Sequence, residues 1–306
     1  MPTSTPPLDL QLNGYRGIDF NADDLTVDQM HTSALALMRD GCGLCLATLI
    51  TDSQEAMVRR IGNLSRALET DPTVRATFHG IHVEGPFINP ERGYHGAHPR
   101  QHARMASEDE MRRLIEAGGG HIRLVTLAPE MDPGLQVTRY LSRAGVAVSA
   151  GHCNPDLDTL HRAVDSGLRL FTHLGNGCPA TLPRHDNIIQ RVLSLRTLPY
   201  VMFIADGVHV PTFALGNYVR TVGLDRVIFV TDGTSAAGMG PGRYQLGGVE
   251  VLVDPSGAAW SPDKSHLVGS TITLPEAQRY LSESVGLTEA EIAQTTVQNP
   301  RRALRC

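Results

Sequence analysis

A chain of 306 residues with 41% apolar content has material for one large domain or two modest ones. A formal net charge of −5, without a basic block, gives no electrostatic reason to expect nucleic acid or an anionic membrane surface as partner. No apolar run reaches spanning length, the opening MPTSTPPLDL lacks the regions of a signal peptide, and five cysteines without framework spacing point to a reducing, cytoplasmic compartment.

Residues 1–7 read as an extended tail ahead of the first strand. Apolar, strand-like runs follow at 8–13, 43–50, 76–84, 121–127, 146–150, 169–173, 200–205 and 226–231. Between them the spacing predicts helices at about 28–40, 54–69, 107–118, 133–144, 156–166, 187–195 and 211–222. Ser53 and the Asn154-Pro155 pair are plausible helix starts. Eight strands each followed by a crossover predict an α/β fold, a closed (β/α)8 TIM-like barrel over residues 8–306, with an open doubly wound sheet as the alternative. After the eighth strand the pattern breaks. Residues 239–258 read as a glycine-rich hairpin insertion, helical segments follow at 272–285 and 288–297, and Asn299-Pro300 opens a short terminal piece. No internal repeat and no low-complexity linker interrupts the chain.

The stretch HVEGPFINPERGYHGAHP, residues 82–99, carries the most chemistry. Glu84 ends a β-branched run, a Gly-Pro turn follows, and the loop holds His95 and His98. A charge at the tip of a buried strand is costly unless paired, and a metal ion is one partner. Three further strand ends are punctuated alike: SAGHC at His152, FTHLGNG at His173 and FVTDGTSAAG at Asp232. In a barrel such ends share one mouth. Glu84, His152 and His173 make a carboxylate-and-two-imidazole set that leaves one position open on a tetrahedral ion, and a water there has its pKa lowered toward ~7. Asp232 is then placed to take a proton and return it to a leaving group, and His98 or His209 to polarise a carbonyl. Each residue has a plainer reading: Glu84 capping a turn, His173 on a loop carbonyl, Asp232 in an Asx-turn, Arg184 on the surface. Their joint occurrence is what favours a site.

Other signals are weaker. The Cys42–Cys45 pair sits in a strand-like segment of small residues and has no second pair, so it reads as structural. Cys153, beside His152, is either a soft ligand or a small core residue. GMGPG at 238–242 lacks the Lys-Ser/Thr of a phosphate loop, no GxSxG elbow occurs, and Ser270 fits a helix start better than a nucleophile.

Taken together, LDLQLNGYRGIDFN (8–21), HVEGPFINPERGYHGAHP (82–99), SAGHCNPDLD (149–158), THLGNGCP (172–179), ADGVHV (205–210), VTDGTSAAG (230–238), VGSTITL (268–274) and NPRRAL (299–304) resemble the N-acetylglucosamine-6-phosphate deacetylases of the amidohydrolase superfamily, in order and over nearly the whole chain. The resemblance implies a metal-dependent barrel. Glu84, His152 and His173 would bind the metal. Asp232 would be the general base and then acid, and His98 would polarise the acetyl carbonyl. Asn13, His95, Asn176, Gly177 and His209 would contact the sugar. Arg184 would meet the phosphate, contributed to a neighbouring subunit of a homodimer. Gln11-Leu12-Asn13 stands where most amidohydrolases carry His-x-His, which implies one divalent ion rather than two. Zinc suits the set, with iron, cobalt and manganese as alternatives.

Three departures from the family pattern stand out. The small β-sandwich built from both chain ends is not expected here. The aromatic and Ala-Met of the THLFNAM-like segment are Gly175, Gly177 and Cys178-Pro179, and Gly233 replaces alanine after the base. The expected function is deacetylation of N-acetylglucosamine 6-phosphate. The alternatives are the same reaction on another, unphosphorylated or pathway-specific N-acetyl sugar, and a non-catalytic sugar-phosphate binding protein.

Overall fold

A computed structural model describes residues 5–306; the first four residues of the expected tail lie outside the described residues, and 5–7 run without regular structure into the first strand. Eight strands form one sheet: β1 (Leu8–Leu12), β2 (Leu44–Leu49), β3 (Phe78–Glu84), β4 (Ile122–Leu127), β5 (Ala147–Ala150), β6 (Leu168–Phe171), β7 (Tyr200–Ile204) and β8 (Val227–Val230). Neighbours in the chain are neighbours in the sheet, and every pair is parallel. Helices such as Val27–Arg39, Gln54–Thr70, Leu157–Asp165 and Thr212–Val222 make the crossovers. The expected (β/α)8 barrel is the observed fold. Ser53 caps its helix as expected, accepting from Ala56 N–H, whereas the helix expected to start at Asn154-Pro155 starts at Leu157 and is capped by Asp156, which accepts from Thr159 N–H.

The strands are buried on both faces, which is why they read as continuous apolar runs. Leu8, Leu10, Leu46, Leu124, Leu170, Met202, Ile204, Ile228 and Val230 fill the barrel interior. Their alternate neighbours, such as Val83, Val125, Phe203 and Phe229, pack outward under the helices. In β1 this alternation slips: Leu8 and Leu10 point inward, Leu12 packs outside, and the pairing with β2 shifts register between Asp9 and Leu12. Such an irregularity re-aims a side chain. It turns Gln11 into the barrel mouth.

The seam between β8 and β1 is closed largely by other means than a regular ladder. Asp232 N–H donates to Gln11 O at 3.0 Å and Asn13 N–H to Gly233 O at 2.7 Å. Below them the Asp9 carboxylate accepts from Thr231 N–H at 3.2 Å and from the Thr231 hydroxyl. Burial pushes Asp9 up to about 7 against these hydrogen bonds. At the opposite end, Asn299 donates to Leu224 O and Val227 O, both at 2.7 Å, and Ala303 plugs the barrel interior.

Some expectations need correction. The hairpin expected within 239–258 is present as Gly242–Leu246 paired antiparallel with Val249–Val253, but Ala259–Trp260 extends the insertion past 258 into a three-stranded sheet. Its last strand is two residues long and carries no readable alternation. The segment 133–144 begins as a 3-10 turn through Gly134 and left-handed Leu135 before the helix Gln136–Arg143. A six-residue helix at Pro72–Thr77 and a small antiparallel pair, Gly14–Tyr15 with Ile18–Asp19, were not expected. The insertion packs Leu246, Val251 and Val253 against Ile50 and Ala97, over the same barrel end as the loop of residues 85–99.

Candidate metal centre and acid–base groups

Glu84 is the last residue of β3, and His152, His173 and Asp232 each lie two residues beyond the end of β5, β6 and β8. These last three hold φ of +51°, +29° and +50°. Only seven non-glycine residues among those described have positive φ, so the strand-tip group accounts for nearly half. Left-handed backbone in a non-glycine residue is costly and concentrates at functional sites.

The side chains converge. His173 Nε2 lies 3.0 Å from Glu84 Oε1 and 3.1 Å from His152 Nε2, and His152 Nε2 lies 3.3 Å from the same oxygen. His152 Nδ1 faces the Tyr94 carbonyl at 2.7 Å. A carbonyl only accepts, so Nδ1 carries the proton and Nε2 of the neutral ring presents a lone pair. A carboxylate oxygen and an imidazole lone pair at this separation repel unless a cation lies between them. Edges of a tetrahedron with zinc–nitrogen bonds of 2.0–2.1 Å are about 3.3–3.4 Å. The donor set fits a small divalent ion. Burial would raise Glu84, but the surrounding imidazoles of His152, His173 and His98 hold it well below the usual carboxylate range. Burial opposes charging of His173, yet Glu84 holds its pKa above the ordinary value. The cluster is electrostatically arranged for positive charge.

His98 differs from the other two imidazoles. Glu84, His98 and His152 offer ligand atoms within 4.8 Å of one another, so distance alone admits it to the set. Its Nδ1, however, accepts from Thr51 N–H at 3.2 Å. The neutral ring therefore carries its proton on Nε2, which faces Glu84 Oε2 at 3.6 Å. Burial, then the neighbouring His152, pushes His98 down to about 4 and keeps it neutral. It is a hydrogen-bond donor into the site where His152 is an acceptor.

Gln11 joins the two carboxylates. Its Nε2 donates to Glu84 Oε1 at 3.0 Å and to Asp232 Oδ1 at 3.1 Å, while its Oε1 accepts from Thr172 at 2.6 Å. Asn13 adds a second donor to Asp232 Oδ1 at 2.8 Å. Asp232 Oδ2 has no hydrogen-bonding partner among the described residues. Burial and then the charge of Glu84 push Asp232 up to about 6.

The remaining expected residues are placed unevenly. His209 Nδ1 pairs with Asp206 Oδ2 at 2.6 Å, which orients the ring. Asn176 donates back to His173 O at 3.3 Å. Gly177, at φ +61°, lies against the metal-site imidazole: a Cβ there would sit 2.9 Å from His152 Nδ1. Gly96 closes on the same ring, with a Cβ-to-Cε1 distance of 3.1 Å. His95 is half-buried with Nδ1 unpaired among the described residues. Arg184 is exposed and makes no side-chain hydrogen bond or ion pair among them. Gln11 escaped the sequence reading as a site residue, although its place in the His-x-His position was visible. His82 also escaped. It lies one inward step below Glu84, between Thr48 and Thr126, and burial pushes it down to about 4.

No family model matches the chain. Among curated proteins it is 32% identical to N-acetylglucosamine-6-phosphate deacetylase of Bos taurus, over 97% of this chain and 73% of that protein. The chain belongs to the N-acetylglucosamine-6-phosphate deacetylase family. The Bacillus subtilis member is 30% identical over 97% of this chain and 74% of its own length, and N-acetylgalactosamine-6-phosphate deacetylase of Escherichia coli O157:H7 is 30% identical over 97% and 76%. A solved family structure, a mutant deacetylase of Mycobacterium smegmatis in complex with N-acetyl-D-glucosamine-6-phosphate, superposes with a TM-score of 0.87 at 29% identity. It covers 98% of this chain and 77% of that one.

Proposed function

We propose that this member of the deacetylase family hydrolyses the acetamide of N-acetylglucosamine 6-phosphate to acetate and glucosamine 6-phosphate. One observation carries the reading: the Glu84 cluster and Asp232 share the amide of Gln11 at the mouth of a family barrel. A divalent ion held by Glu84, His152 and His173, zinc by donor type with iron, cobalt and manganese as alternatives, would supply Lewis acidity and a more acidic water. Asp232 uses its free Oδ2 to take a proton from the attacking water, while Gln11 and Asn13 hold Oδ1 in place. A carboxyl poised at about 6 is ionised at neutral pH and still returns the proton to the departing amine. His98 donates from Nε2 to the acetyl oxygen as charge develops there. His95, Asn176, Gly177 and His209 line the sugar's side, and exposed Arg184 supplies the cation for its phosphate, in a homodimer where it serves the partner's site.

A second reading keeps the chemistry and changes the sugar. A Cβ at Gly175 would meet only Tyr218 and Val210, both at 3.8 Å, so the position normally aromatic in the family leaves open space. Among the described residues no helix is long and apolar enough to cross a membrane. Cys42, Cys45, Cys153, Cys178 and Cys306 are all free, which supports a reducing, cytoplasmic location.

The test is acetate release from N-acetylglucosamine 6-phosphate, its galacto epimer and unphosphorylated N-acetylglucosamine, with protein of measured metal content. Preference for the first supports the reading, and preference for either of the others transfers it to the second. With Arg184→Ala, KM should rise for the phosphorylated sugars alone. An equal rise for the unphosphorylated sugar would remove Arg184 from the phosphate site.

A further inference from the structure

Strand β4 ends at Leu127 and sends no group to the metal cluster, but Glu130, three residues on, reaches the loops on both sides. Glu130 Oε1 accepts from Asn154 N–H at 2.5 Å and from the Asn89 side-chain amide at 3.1 Å. Both partners bracket His152. Asn154 follows it by two residues, and Asn89 N–H donates to His152 O at 3.0 Å. Asn89 also accepts from Glu91 N–H at 2.9 Å, which fixes the turn leading to Tyr94, whose carbonyl takes the His152 Nδ1 proton. The bridge runs onward: Asn154 Oδ1 accepts from Arg191 at 3.1 Å, and Arg191 donates to Asp186 at 2.6 Å, on the loop that carries Arg184.

A carboxylate is an expensive residue for this place. Oε2 of Glu130 is buried with no hydrogen-bond partner among the described residues. What the carboxyl group gains is the two donors on Oε1, and both hold the segments around a left-handed histidine. We propose that Glu130 is a positioning residue for the metal site, fixing the backbone of His152 from both sides so that its Nε2 points at Glu84. The inference rests on reading Glu84, His152 and His173 as metal ligands. Glu130 touches neither substrate nor metal in this arrangement; it acts through Asn89 and Asn154.

The test is competition of the metal-stripped full-length protein with a chromophoric chelator for zinc, for wild type, Glu130→Met, Glu130→Gln and His152→Ala. Methionine fills the space without accepting a hydrogen bond, and glutamine keeps an acceptor for both donors. Loss of a group that orients a ligand typically costs about 10–100-fold in metal affinity. E130M should lose that much, with the melting temperature of the metal-free protein near that of wild type, and E130Q should restore most of the affinity. Wild-type zinc affinity in E130M, with or without a lowered melting temperature, overturns the inference while leaving the metal site standing, provided H152A binds zinc weakly. Wild-type affinity in H152A removes the metal-site reading and this inference with it. Should E130M not fold, Asn89→Ala deletes one of the two donors to Glu130, and unchanged zinc affinity there overturns the inference as well.

Discussion

The two ends of the barrel are built on opposite principles. At the end where the strands start, Asn299 satisfies the carbonyls of Leu224 and of Val227, the first residue of β8, Arg169 reaches Ala303 O at 3.3 Å, and Ala303 fills the interior. At the other end, three side chains stand on left-handed backbone, a lone pair faces a carboxylate, and Asp232 Oδ2 and His173 Nδ1 lack hydrogen-bonding partners among the described residues. Apart from Asn299 Oδ1, which is buried without a partner among the described residues, the first end uses these polar groups on backbone carbonyls, and the second keeps its own for a ligand. Stability and chemistry are thereby assigned to different ends of the same strands, as expected for this architecture.

Substitutions at each end should separate accordingly. Asp232→Asn should give the largest effect. Asparagine tolerates the left-handed backbone, so metal content should persist while kcat falls by roughly 10²–10⁴-fold. Near-normal turnover with full metal content would falsify its role as base. His98→Ala should lower kcat by about 10²–10³-fold, with zinc affinity close to wild type, because His98 donates where the ligands accept. A large loss of zinc in that variant would instead make His98 a ligand. Asn299→Ala should do the reverse, lowering unfolding free energy by about 1–3 kcal/mol for the carbonyls it leaves unpaired and sparing KM and kcat. Urea unfolding beside steady-state kinetics reads both.

The smallest effect is a slope. Asp9 in the folded chain titrates at about 7, above its ordinary value of 3.8. Between those two values the folded state holds the proton that the unfolded state has lost, so this group's contribution to stability falls as pH rises from about 4 to about 7. Asp9→Asn cannot titrate and should flatten that fall in denaturant midpoints measured across the range. An unchanged slope would mean that Asp9 is ionised in the fold.

The strand ends made the mouth of the barrel legible in the sequence. Glu84, His152, His173 and Asp232 each interrupt an apolar run that is buried on both faces, and a polar residue there stands out. Gln11 did not stand out, because its orientation depends on a register slip in β1 that no alternation pattern announces. Nor did Glu130, which lies three residues past a strand that gives nothing to the cluster. The distinct parts played by His98 and His152 were equally hidden: the sequence shows two histidines, while Thr51 N–H and Tyr94 O decide which nitrogen keeps its proton. The third strand of the insertion is too short to carry a pattern at all.

The seam at β1 has a further consequence. That strand brings Gln11 and Asn13 to both carboxylates, and it is joined to β8 by a few backbone hydrogen bonds and one carboxylate in place of a regular ladder. A barrel opens first where its ladder is thinnest, well before the whole chain unfolds. The amides of Thr231 and Asp232 should therefore exchange with solvent faster than those of Val83 or Val125. Each such opening would part Gln11 from Asp232, so that the enzyme loses its proton carrier in excursions that leave most of the cylinder standing.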